Sequence, residues 1–241
     1  MKKLLAIAVV IILLGLLGHA QSADDIIKSY LKATNLEKTK EIKTLDLIGK
    51  MTRQGMEMQM EIKLKQPDKV WSEITIGPQK MTQGFDGETA WAIIPQSGSL
   101  EPQILSGLQA QNLKDQFEII NDPFLNYKAK GSEITLISKE EKDGKSYYRI
   151  ELKKENGDVT TNFFDAETYI LHKTAVKRTN MGQEVFLEFV FGDYKSVGGI
   201  MFAHKITTLV NGNSIGDINF TSITINPEID DSIFPIPKIK Q

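Results

Sequence analysis

The sequence predicts a mainly β (α+β) fold built on a curved antiparallel sheet, and three observations carry that prediction. Apolar and polar residues alternate with a period of two along most of the chain, as in strands buried on one face. Turn signals such as Asp86-Gly87, Asp143-Gly144, Asn156-Gly157, Gly198-Gly199 and Asn211-Gly212 punctuate these runs. Helical spacing occurs in two stretches only, near the start and between Pro95 and Pro123. Roughly ten or eleven strands in sequence order, broken once by helix, imply an antiparallel sheet rather than βαβ units.

Taken in order, the chain opens with Lys2 and Lys3, an apolar run from Leu4 to Leu17, then Gly18, His19 and Ala20. A basic start, an apolar stretch too short to cross a ~30 Å hydrocarbon core and small residues at positions 18 and 20 predict a cleaved signal peptide over residues 1–20. The protein is therefore expected in the periplasm. Residues 21–241 are expected to form a single domain, because no linker rich in Pro, Gly or Ser divides them.

Asp24 to Lys43 reads as a helix, with Asp24 and Asp25 at its positive end and Ile26, Ile27, Tyr30 and Leu31 at helical spacing. Leu45, Leu47, Gly49 and Met51 then alternate with Asp46, Ile48, Lys50 and Thr52. Met56, Met58, Met60, Ile62 and Leu64 alternate with Glu57, Gln59, Glu61, Lys63 and Lys65, giving a second strand joined to the first near Gln54-Gly55. Turns at Pro67-Asp68, Gly77-Pro78 and Asp86-Gly87 mark off Val70 to Ile76, Lys80 to Phe85 and Glu88 to Ile94 as the rest of a meander. Ile104, Leu105, Leu108, Leu113, Phe117 and Ile120 fit one or two helices, after which hairpins resume to the end of the chain.

Composition narrows the function. The chain has no cysteine, which excludes a lipid anchor on its own N-terminus, disulfides, thiol catalysis and thiolate metal sites. Its formal net charge is −2, and removal of Lys2 and Lys3 makes it more acidic, against the basic face that nucleic-acid binding needs. There is no G-x-S-x-G, Walker loop, H-E-x-x-H or G-x-G-x-x-G placed after a strand. His172 and His204 have no ligand-spaced partner in sequence, and Asp230-Asp231 reads as a solvated turn. No catalysis, metal or cofactor is expected.

Four pieces in order carry a family resemblance: the opening helix Ala23 to Leu31, the step Ile62 to Pro67 followed by Trp71, the hairpin Phe85 to Trp91, and the tail Phe220 to Phe234 with Asn226-Pro227. In their spacing the chain resembles the LolA-like periplasmic carriers that sort outer-membrane lipoproteins. The resemblance covers most of residues 21–241. It implies a half-open β-barrel (LolA/LolB-like) whose concave face is covered by helices acting as a movable lid, with acyl chains held between. Related half-barrels serve as sensors, so a shared fold leaves the task open. The carriers depend on an arginine in the cavity; hairpin lengths differ here, and that role is not carried over to Arg53.

Methionines cluster at Met51, Met56, Met58 and Met60, three of them on one face of a single strand. Flexible, polarisable side chains of this kind refit around acyl chains of different length, although they fill gaps in an ordinary core equally well. The expected lipid-binding cavity comprises these four with Ile62, Leu64, Trp71, Trp91, Leu105 and Leu108, the tryptophans bracketing the concave face. The function expected is a monomeric carrier of lipoprotein acyl chains or lipid, loaded by an inner-membrane export complex and emptied at an outer-membrane acceptor. A lipid-sensing or protein-interaction module using the same half-barrel is the alternative, and a fully packed structural protein a third.

Overall fold

The computed structural model describes residues 21–180 and 183–238; the signal-peptide residues 1–20 lie outside the described residues. Helix α1 spans Ala23–Thr34. Ser22 and Asp25 form a reciprocal cap: the Ser22 hydroxyl accepts the Asp25 N–H at 3.2 Å and the Asp25 carboxylate accepts the Ser22 N–H at 3.2 Å. The helix stops at Asn35, which adopts a left-handed conformation with φ 56°, and the chain continues as a 3-10 turn over Leu36–Glu41. The single helix expected to Lys43 is therefore shorter, because a left-handed residue interrupts the α-helical hydrogen bonds.

The strands are β1 (Thr44–Arg53), β2 (Met56–Lys65), β3 (Lys69–Ile76), β4 (Gln79–Phe85), β5 (Ala90–Ile93) and the two-residue β6 (Gln103–Ile104). Helix α2 (Gly107–Asp115) and a 3-10 turn (Gln116–Ile119) follow. Then come β7 (Glu133–Lys142), β8 (Lys145–Lys153), β9 (Val159–Asp165), β10 (Leu171–Asn180), β11 (Gln183–Val197), β12 (Ile200–Val210) and β13 (Asn213–Ile225). All belong to a 13-stranded antiparallel sheet in the order β6-β5-β4-β3-β2-β1-β13-β12-β11-β10-β9-β8-β7. The sheet is curved and not closed, with β6 and β7 at its free edges.

This order follows from two meanders that run in opposite senses. The first grows outward from β1 to β6, the second runs inward from β7 to β13, and β13 pairs with β1. The chain must therefore cross from one free edge to the other, and residues 105–132 make that crossing. Near the junction the β1–β13 register slips between Ile48 and Gly49. Gly49 is required there, since a Cβ would sit 2.6 Å from the Asn219 carbonyl oxygen.

Alternation gives the sheet an inner and an outer face. On the inner face Leu45 stands opposite Leu64 and Leu47 opposite Ile62. With Val70, Ile150, Leu152, Phe164, Phe202, Phe220 and Ile223 they form a core shared with Ile26, Ile27 and Tyr30 of α1 and with Leu113, Phe117, Ile120 and Phe124 of the crossing. Tyr30, Phe124 and Phe164 meet edge to face, with centroids 5.0 Å (Tyr30 to Phe164), 5.3 Å (Phe124 to Phe164) and 6.0 Å (Tyr30 to Phe124) apart. Each such pair contributes about 1 kcal/mol beyond area burial, so the centre of the cover is pinned to the sheet.

Candidate functional site

Burial along the inner face is graded. At the covered end Leu64 is 0 % exposed and Ile62 4 %, both closed over by the chain's own side chains. Further along β2, Met60 and Met58 remain buried, at 6 % and 7 %, while Met56 at the hairpin end is 56 % exposed. Their cross-strand partners follow the same trend: Gly49 faces Met60, Met51 faces Met58 and Arg53 faces Met56. Met51, Ile74, Phe191, Ile206 and Ile218 adjoin the core but are only partly buried. The register joins them into one surface, with Ile218 beside Met51, Ile206 beside Ile218 and Phe191 beside Ile206. The result is an apolar trough on the inner face, continuous with the core and open toward the hairpin ends.

The four methionines therefore line the same face, from buried Met60 and Met58 through half-buried Met51 to exposed Met56. Leu105 is partly buried against the core, and its N–H donates to the Ala90 carbonyl at 2.8 Å. Leu108, on α2, points outward and is 53 % exposed. The two tryptophans lie elsewhere. Trp71 pairs with Lys63 and with Gly84, and Gly84 with Trp91, which puts both indoles on the outer face instead of bracketing the concave one.

That outer position has its own chemistry. Trp91 is 1 % exposed, lies across Gly84 and donates its Nε1–H to the Phe234 carbonyl at 2.7 Å. The C-terminal segment holding Phe234 is fastened by Asp231, whose carboxylate pairs with Lys65 at 3.0 Å and Lys69 at 2.9 Å. Those lysines hold the Asp231 carboxyl below the usual carboxylate range. Asp230-Asp231 is thus a surface turn acting as a clasp.

Two clefts flank the trough and the cover. One of about 610 Å³ lies between the β1–β2 and β12–β13 hairpins, lined by Arg53, Gln54, Val210, Ile215 and Asp217 among others. The other, of about 390 Å³, lies between Asp68, Phe85 and Gly87 on one side and Gln111, Lys114 and Glu118 on the other. Polar and apolar side chains mix in both linings.

Beneath the cover sits a polar cluster that periodicity did not single out. Asp122, in the crossing, is 8 % exposed; it accepts the Tyr30 hydroxyl at 2.7 Å and the Phe124 N–H at 2.8 Å. Burial pushes its carboxyl up to about 6, against the opposing pull of those two hydrogen bonds. Tyr194, from β11, donates to the Leu171 carbonyl at 2.7 Å, and burial raises its phenol well above the usual range. His204 is buried with Nδ1 3.1 Å from the Phe202 carbonyl, and His172 stacks on Tyr147 at 4.9 Å. Among the described residues no group of three or more His, Asp or Glu side chains is placed to hold a metal ion.

No protein-family model and no curated protein matches the chain. Solved structures do. A LolA superfamily protein from Nitrosomonas europaea aligns with a TM-score of 0.57 at 14 % identity, over 89 % of this chain and 97 % of that one. A DUF1329 family protein from Desulfovibrio piger gives 0.57 at 13 % identity, over 87 % and 97 %. A domain from Vibrio parahaemolyticus named for outer membrane lipoprotein sorting gives 0.54 at 10 % identity, over 86 % and 97 %. With the open, curved sheet and its helical cover, these alignments give the chain the LolA-like fold, a half-open β-barrel.

Proposed function

We propose that the protein is a periplasmic carrier that shields the acyl chains of lipoproteins or lipids on the inner face of its half-barrel and delivers them toward the outer membrane. The observation that carries this reading is the partial burial of Met51, Ile74, Phe191, Ile206 and Ile218, which adjoin the core on that face yet keep part of their apolar surface exposed. A methylene laid against such a surface gains about 0.8 kcal/mol, so ten supply about 8 kcal/mol before the costs of ordering. No special polar contact is needed for that term. Selectivity among acyl chains is accordingly broad, and the methionines along β1 and β2 adjust to differing lengths.

The sequence supports the same task. A leader over residues 1–20 and the lack of cysteine fit a soluble, unanchored shuttle. The sorting function named for the Vibrio parahaemolyticus domain, which shares the fold, points the same way. In this reading the protein works as a monomer, takes cargo from an inner-membrane export complex and yields it to an outer-membrane acceptor.

The test is to purify the protein from its own periplasm, identify bound acylated species by mass spectrometry, and follow their passage to acceptor membranes. Bound cargo that moves to the acceptor is the expected result. A protein that emerges empty and refuses added lipoprotein overturns the proposal. A stable, lipid-dependent protein complex without transfer would replace carriage by sensing.

A further inference from the structure

Helix α1 belongs to the cover of the inner face, and among the described residues a few polar contacts join it to the crossing. At its exposed end Asp24 accepts the Tyr127 hydroxyl and pairs with Lys128 at 2.7 Å. Its buried contact is the 2.7 Å hydrogen bond from Tyr30 to Asp122, between residues 92 positions apart in sequence. Every separation of α1 from the crossing must break that bond and admit water to Asp122.

We infer that the Tyr30–Asp122 pair is a proton-linked latch: α1 closes on the crossing with uptake of a proton at the Asp122 carboxyl and opens with its release. In the closed state the groups around Asp122 are Tyr30 from α1, Tyr194 from β11, Glu118 from the 3-10 turn and Lys130 from the crossing. Lys130 bonds to the Asp122 backbone carbonyl at 2.9 Å rather than to the carboxylate, and Lys154 is engaged by Glu118. Among the described residues no cation therefore pairs with the carboxylate directly. The neutral acid can still accept the Phe124 N–H on one oxygen while its O–H donates to the Tyr30 oxygen.

Opening restores solvent and returns the group toward the ordinary 3.8, against about 6 when closed. The sign follows: closure is favoured at low pH, and the preference is lost as pH rises through the closed-state value. Between pH 5 and pH 7 the opening equilibrium rises about tenfold. The consequence for cargo, freer access to the inner face at higher pH, rests on the carrier reading; the latch itself does not.

Amide hydrogen exchange of the lipid-free protein, corrected for intrinsic exchange, measures opening of α1 directly and needs no cargo. Protection across α1 should fall about tenfold from pH 5 to pH 7 in the wild type. Asp122→Asn, which keeps an acceptor oxygen but cannot titrate, should show no such change. Tyr30→Phe removes a bond that lowers the Asp122 value and should move the change to higher pH. Equal wild-type protection at both pH values, an undiminished response in Asp122→Asn, or α1 amides as strongly protected as those of β12 would each overturn the latch. A flat profile alongside normal lipid loading would remove the latch and leave the carrier reading standing.

Discussion

Met51→Glu separates a binding surface from a structural core. Met51 lies between Met58 and Ile218 on the inner face and is half-buried, so the substituted carboxylate can reach water. Burying a whole methionine is worth about 2 kcal/mol, and losing half of that costs about 1 kcal/mol of stability. The effect on an acyl chain is larger. Keeping that carboxylate hydrated lifts three or four methylenes off the trough at about 0.8 kcal/mol each, a loss of about 3 kcal/mol or roughly a hundredfold in affinity. Leu64→Ala is the opposite case: Leu64 is 0 % exposed beneath the cover, so it should cost about 2–5 kcal/mol of stability while the folded fraction binds normally. Urea titration gives the stabilities, and fluorescence of a labelled fatty acid gives the affinities. Met51→Leu should behave as wild type in both. If Met51→Glu binds the probe with wild-type affinity, the trough is not where acyl chains lie.

Gly84→Ala should destabilise the protein by about 1–3 kcal/mol, because the new Cβ falls 2.5 Å from the Trp91 ring; a lower urea midpoint and red-shifted tryptophan emission are the readouts. Trp91→Phe should cost a similar 1–3 kcal/mol by leaving the buried Phe234 carbonyl unpaired, and limited proteolysis should trim the C-terminal segment sooner. Asp122 sets a pH dependence of global stability. Its folded value of about 6 lies above the ordinary 3.8, so its contribution is full below the lower value and is lost as pH rises through the upper one. Wild type should therefore gain about 1 kcal/mol relative to Asp122→Asn between pH 7 and pH 5, read from paired urea titrations. An equal or opposite change would contradict the assigned burial.

Local chemistry made most of the elements legible and almost none of their long-range pairing. The first five strands fall where alternation puts them, and Gln54-Gly55 and Asp143-Gly144 make the turns their residue types suggest, each with positive φ at both positions. Asn35 is a weak local signal: Asn tolerates the left-handed stop better than most residues but also occurs inside helices, and the apolar spacing around it does not choose between the two. The tryptophans show the larger gap. Period two within each strand does not say which face Trp71 and Trp91 take; the pairing of Trp71 with Lys63 and, through Gly84, with Trp91 puts both on the outer one. Ile206 and Ile218 carry no local sign of their position for the same reason. Their place beside Met51 exists only because β13 pairs with β1 across nearly the whole chain.

Strand length explains why part of the inner face stays open. A strand of 15 residues such as β11 runs about 50 Å, whereas a helix laid across it covers a band only about 10 Å wide. The cover consists of α1, which touches β7 and β12, and a crossing whose helix α2 touches β4 and β5. Exposed hydrophobic surface in water costs solubility unless something occupies it. The long strands β11 to β13 carry Phe191, Ile206 and Ile218 on the inward side, partly buried against the core. An apolar guest seated there would complete the barrel's interior in the way that Leu113, Phe117 and Ile120 complete it under the crossing.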